Sequence, residues 1–144
     1  MPLPHKLLLL LLPVVALAAT TQVSTDKPII NFRLPTFTPD GYRYWLVRGS
    51  EARFAAGNQI DIVELTLTIF TGKADDRIET MILSPAARVL TEESLVTGQG
   101  TIRVINDDFE ASGTDWRYTH KQKRVSINQN VHVTFHTELK DFLK

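Results

Sequence analysis

Residues 125–135 read Val-Ser-Ile-Asn-Gln-Asn-Val-His-Val-Thr-Phe. Val125, Ile127, Val131, Val133 and Phe135 take odd positions, while Ser126, Asn128, His132 and Thr134 take even ones. Successive side chains of an extended chain point to opposite sides, so this period of two describes a strand with one buried face. The same alternation recurs upstream. Ile102 and Val104 interleave with Thr101 and Arg103, Leu65, Leu67 and Ile69 with Thr66 and Thr68, and Ile60 and Ile62 flank Asp61. Between Ile62 and Leu65 the apolar phase slips by one residue, which a bulge or turn at Val63-Glu64 corrects while keeping the same face.

Composition points the same way. From Ala19 onward there are 126 residues, of which 35 are Val, Ile or Thr and 8 are Ala. Branching at Cβ suits a pleated surface better than a helix. Helical spacing is confined to Leu139, Phe142 and Leu143, in a short terminal turn. The expected fold class is therefore all-β, with many short antiparallel strands. Turns are expected at Pro39-Asp40-Gly41, Ala56-Gly57-Asn58, Gly72-Lys73, Gly98-Gln99-Gly100 and Ser112-Gly113. A weak repeat runs through the same region: Ala52-Arg53, Ala87-Arg88 and Trp116-Arg117 each precede a polar turn and then a pair of alternating strands.

The chain has 144 residues, enough for one domain with a real core. Its 16 basic and 16 acidic residues balance, so it lacks the basic face that nucleic acid requires. With no cysteine it has no disulfide framework, no thiolate metal site and no cysteine nucleophile. Residues 1–19 read as an export segment: Lys6 precedes an apolar run over residues 7–18, and Ala16-Leu17-Ala18 has the small–x–small form of a cleavage site. The run is 12 residues long and contains Pro13, whereas a membrane span needs about 20. A retained short anchor is the competing reading. Export to the periplasm is the expectation, with residues 20–34 a linker and first edge segment, 35–136 the folded domain and 137–144 a tail.

Residues able to carry chemistry do not assemble into a catalytic or metal pattern. On a strand His132 and His136 share a side but lie about 13 Å apart at 3.3 Å per residue, too far for one zinc ion. The late histidines, His120 included, read as solvent-facing polar positions. Asp75-Asp76 and Asp107-Asp108 lack the ligand spacing of a calcium loop and read as turn carboxylates. No serine sits in a G-x-S-x-G elbow and no Gly-rich phosphate loop is present. No enzyme, cofactor or metal is expected. Trp45, Trp116, Tyr42, Tyr44 and Tyr118 offer a sugar-stacking platform as an alternative to core packing. Arg48, Arg53, Arg88, Arg103 and Arg117 are either lipid-phosphate contacts or ordinary strand charges.

Several stretches resemble the OstA-like periplasmic lipopolysaccharide-export proteins, in their LptC type. They are Pro35-Thr-Phe-Thr-Pro-Asp-Gly41 with Tyr44-Trp45-Leu46, Ile78-Glu-Thr-Met-Ile-Leu-Ser-Pro-Ala86, Gly98-Gln-Gly100-Thr-Ile-Arg-Val-Ile105, Asp108-Phe-Glu-Ala-Ser-Gly113-Thr-Asp-Trp116, and Val125-Ser-Ile127 leading to Asn130-Val131-His-Val133. Together they cover roughly residues 33–136. The resemblance implies a twisted, slightly open antiparallel β-jellyroll whose two sheets enclose an apolar groove. It also implies a non-catalytic role: lipopolysaccharide acyl chains lie in the groove and pass from an inner-membrane ABC-type export complex to a bridging jellyroll protein by edge-to-edge strand pairing. On that reading Ile60, Ile62, Leu65, Leu67, Ile69, Ile102, Val104, Val125, Ile127, Val131, Val133 and Phe135 line the groove, and the strand around residues 131–135 is the docking edge. Typical inner-membrane members keep an uncleaved anchor, whereas Pro13 and Ala16-Leu17-Ala18 favour cleavage here. The alternative outside the family is a secreted carbohydrate-binding or structural β-sandwich.

Overall fold

A computed structural model describes residues 27–55 and 57–136. The export segment and the terminal helical turn expected above lie outside these residues. Seven strands follow one another in the chain: β1 (Ile29–Phe37), β2 (Arg43–Phe54), β3 (Gln59–Phe70), β4 (Ile78–Leu90), β5 (Leu95–Ile105), β6 (Phe109–Thr119) and β7 (Arg124–Phe135). A single 3₁₀ turn (His120–Gln122) lies between β6 and β7. All neighbours are antiparallel, and the sheet order is the chain order, β1 to β7. The all-β expectation holds. The two layers of the jellyroll are parts of one continuous open sheet, with β1 and β7 as its edges among the described residues.

A crease across the strands makes two layers out of one sheet. In β3 the buried positions change parity midway, from Ile60 and Ile62 to Leu65, Leu67 and Ile69. Glu64 sits between them at φ 54°, while the pairing with β2 and β4 keeps its register through this point, so the phase slip seen in the sequence is a left-handed kink without an extra residue and not a bulge. β2 switches from Trp45 and Val47 to Ala52, β4 from Ile82 and Ser84 to Ala87 and Val89, and β6 from Ala111 to Trp116 and Tyr118. Asn31, Asp115 and Asn130 hold positive φ at the matching points of β1, β6 and β7. Register shifts fall at the same height between β4 and β5 and between β5 and β6. Each strand thus bends at its middle and contributes one half to each layer.

Ring contacts show that the layers close on each other. β2 and β6 are four strands apart, about 19 Å along a flat sheet, yet the rings of Trp45 and Tyr118 lie 6.4 Å apart. Trp45 also stacks on His120 at 4.7 Å and 9°. Phe32 packs edge-on against Phe54 at 6.1 Å. The core between the layers includes Val47, Leu67, Ile82, Val89 and Val96, all fully buried.

Two of the expected turns are corrected. Gly98-Gln99-Gly100 lies inside β5 and Ser112-Gly113 inside β6. Their glycines serve the crease and close packing: a Cβ on Gly98 would lie 2.6 Å from Trp116 Cε2. The reversals that do connect these strands use Asn106, whose side chain accepts from the Asp108 and Phe109 amides, and a Ser94 N–H donating to the Thr91 carbonyl.

Candidate functional site

The apolar residues expected to form a groove fall into two sets. Ile60, Ile62, Leu65, Leu67, Ile69, Ile102 and Val104 face the interior, none more than 3% exposed. Val125 and Ile127 are partly buried and pack against that core. Val131, Val133 and Phe135 are 51%, 45% and 54% exposed.

Register explains how residues on the inner face come to be open. Val125 pairs with Tyr118 and Ile127 with Trp116, both core residues. Val133 pairs with Ala111 and Phe135 with Phe109, whose rings meet at 6.4 Å. Directly paired residues share a sheet face. The face that is sealed at β3 therefore runs on through β6 to the outer half of β7, where the opposite layer no longer covers it. His132, opposite Ser112, points the other way. An apolar strip on a free sheet edge results, with unpaired backbone groups along β7.

Closure on the other side is made by an aromatic clasp. Trp45 stacks on one face of His120, and Tyr44 meets the same ring edge-on at 4.1 Å. The Tyr118 hydroxyl lies 2.7 Å from His120 Nδ1. Burial pushes the Tyr118 hydroxyl well above the ordinary phenol range, so it stays protonated. Burial also lowers the His120 pKa to about 4, with the nearby Lys123 ammonium adding to the shift. At neutral pH His120 is an uncharged ring. With the hydroxyl proton donated to Nδ1, Nε2 carries the other hydrogen and has no partner among the described residues. Lys123 bonds Glu79 at 2.7 Å and lies 5.6 Å from the Tyr44 ring centre, tying β7's start to the far layer. Leu34, Thr36, Thr91 and Ser94 line a cavity of about 350 Å³ beside this clasp.

His120 is thus a buried clasp residue, which corrects its expected solvent-facing position. The period of two does reach it, since Trp116, Tyr118 and His120 are two residues apart and all buried, but a polar side chain in a 3₁₀ turn beyond the strand hides that signal. His132 and His136 are exposed as expected. The aromatics considered as a sugar platform divide differently. Trp45, Trp116 and Tyr118 are 4%, 2% and 1% exposed, so they fill the core and leave no flat stacking face. Asp75 and Asp76 order the β3–β4 turn through Thr71 and Arg43, bonds that hold both carboxyls below the usual range.

No curated protein matches the chain. A family profile does, the one described as lipopolysaccharide-assembly, LptC-related, and its match extends over residues 15–136. It takes in all seven strands, the crease, the clasp and the open apolar strip of β7. A match over most of the chain, on a creased all-β sheet with an uncovered inner face, makes this protein a member of the LptC-related family of lipopolysaccharide-assembly proteins.

Proposed function

We propose that the protein is a non-catalytic carrier that holds lipopolysaccharide acyl chains against its inner sheet face. It takes them from an inner-membrane ABC-type export complex and passes them to a bridging jellyroll protein that pairs with its free edge. The observation that carries this reading is the uncovered stretch of inner face at Val131, Val133 and Phe135. Acyl chains need a continuous apolar surface, since each buried polar group left unpaired costs about 1–3 kcal/mol. An edge strand supplies the backbone donors and acceptors through which another module adds a strand. Residues 1–19 direct the chain to the periplasm and are either removed or kept as an inner-membrane tether.

The sealed interior at Leu67 and Ile82 sets a condition on this mechanism. Acyl chains that reach these residues do so only as the layers part, and the clasp of Trp45, Tyr118 and His120 is the seam that separates. Among the described residues no strand ladder crosses that seam, so opening it breaks side-chain contacts and leaves the sheet intact.

The test compares two neighbours with opposite faces. Val133→Asp puts a charge on the inner strip, and His132→Asp puts one on the outer face. In cells depending on the variant, surface lipopolysaccharide falls with Val133→Asp and stays near normal with His132→Asp. Equal effects would remove the face assignment.

A further inference from the structure

The arginines of the repeated dipeptides Ala52-Arg53, Ala87-Arg88 and Trp116-Arg117 have no part in the inner face, yet the sheet gathers them into one place. Arg53 pairs with Asp61, Asp61 with Arg88, Arg88 with Thr97, and Thr97 with Arg117. The three guanidinium groups therefore form a transverse row on the outer face, carried by alternate strands β2, β4 and β6. Neighbours in the row are roughly 10 Å apart at the Cα positions, two strand spacings. In each dipeptide the partner residue, Ala52, Ala87 or Trp116, faces the core, so the repeat is one inward and one outward residue at the same height.

The row lines a concave saddle of about 600 Å³. Three carboxylates share it, Glu51, Asp61 and Asp115, so the signs balance and there is no net field to draw a nucleic acid. Not all the charges neutralise one another. Arg88 pairs with Asp61 at 2.9 Å, and Asp115 accepts from Asn128 at 3.2 Å. Among the described residues Arg53 and Arg117 form no ion pair, and both are exposed. Two free guanidinium forks thus flank a neutralised centre, with the carboxylates of Glu51 and Asp115 and the Asn128 carboxamide beside them.

Each of these groups has a matching ligand chemistry. A guanidinium fork takes a phosphate through two parallel hydrogen bonds. Carboxylate and carboxamide groups exchange hydrogen bonds with adjacent hydroxyls. We infer that the outer face of β2 to β7 is a second binding site, separate from the apolar strip, for a phosphorylated saccharide held by Arg53 and Arg117. Its natural source rests on the proposed cargo: the phosphate-bearing sugar portion of lipopolysaccharide, bound on the side of the sheet opposite the acyl chains.

The test is calorimetric titration of the purified protein with the phosphorylated oligosaccharide released from lipopolysaccharide by complete deacylation. Saturable binding is expected, weakened about tenfold by either Arg53→Ala or Arg117→Ala, the loss of one charge-assisted contact. Phosphatase treatment of the ligand should weaken it to a similar degree or more, and inorganic phosphate alone should bind much less tightly. Val133→Asp should leave it unchanged. The probe carries no acyl chain, so this result stands or falls independently of the inner-face assignment. Absence of saturable binding, or undiminished binding in both arginine variants, would overturn the site. Full-strength binding after phosphatase treatment would overturn the guanidinium–phosphate assignment, and equal affinity for inorganic phosphate would overturn the saccharide one.

Discussion

His120 ties acid sensitivity to the clasp. Its pKa falls from an ordinary 6.5 to about 4 because the charged ring is desolvated between Trp45 and Tyr44. The unfolded chain binds a proton there between these two values and the folded one does not. The stabilisation is thus complete above about pH 6.5 and is lost progressively as pH falls towards 4, by about 3 kcal/mol in total. His120→Phe keeps an aromatic ring in the stack and removes the titration. Chemical denaturation at pH 7 and pH 4.5 should show a clearly smaller pH dependence for this variant than for the wild type; an unchanged dependence would place it on other groups. Gly98 is the second residue whose chemistry is fixed by one neighbour. Gly98→Ala drives a methyl into the Trp116 indole and should cost roughly 1–3 kcal/mol, whereas Gly100→Ala meets no atom within 4 Å and should be close to neutral. The two variants compared by urea denaturation decide whether close packing on Trp116 is why position 98 is glycine. In the sequence both glycines signal a turn, because composition alone does not distinguish a reversal from a point where an indole lies against the backbone.

Among the elements, the mid-strand kinks and register shifts matter most, since they turn a meander into a sandwich. Glu64 holds a left-handed conformation that costs a side-chain-bearing residue about 1 kcal/mol or more. Glu64→Gly should therefore be neutral to stabilising, and Glu64→Val should lose roughly 1–2 kcal/mol in a thermal or urea melt. Stabilisation by valine would show that the kink is not strained. β3 was the most legible strand, because the slip between Ile62 and Leu65 is written in its apolar phase. In β5 the slip is hidden: Val96, Ile102 and Val104 all keep even parity while two glycines absorb the irregularity. The alternation of β7 was plain in sequence, but its exposure was not. Whether an apolar face is covered depends on where the opposite layer ends, which a period of two does not encode.

For the whole molecule the central question is whether the seam opens. Cargo reaching Leu67 requires the layers to separate, so a probe on each layer should move apart when lipopolysaccharide binds. Pro35, paired with Leu46 beside Trp45, and Lys121, next to His120 in the 3₁₀ turn, are exposed and belong to the two halves of the clasp, and the chain has no cysteine to compete with introduced thiols. Spin labels there should show a longer distance by pulsed electron resonance on adding lipopolysaccharide, and an unchanged distance would confine the lipid to the open strip. The sequence alone supports an all-β chain and a family resemblance that the profile match bears out. It says nothing of how one sheet, creased across its strands, encloses its own core, because that closure rests on Trp45 meeting Tyr118 and His120 across more than seventy residues of chain.

The most direct test of the lipid-carrying face is photo-crosslinking in living cells, with a crosslinking amino acid at Val133 in one strain and at His132 in the other. An adduct with lipopolysaccharide at 133 and none at 132 is the predicted result. Adducts at neither position in a correctly exported protein, or equal adducts at both, would contradict it.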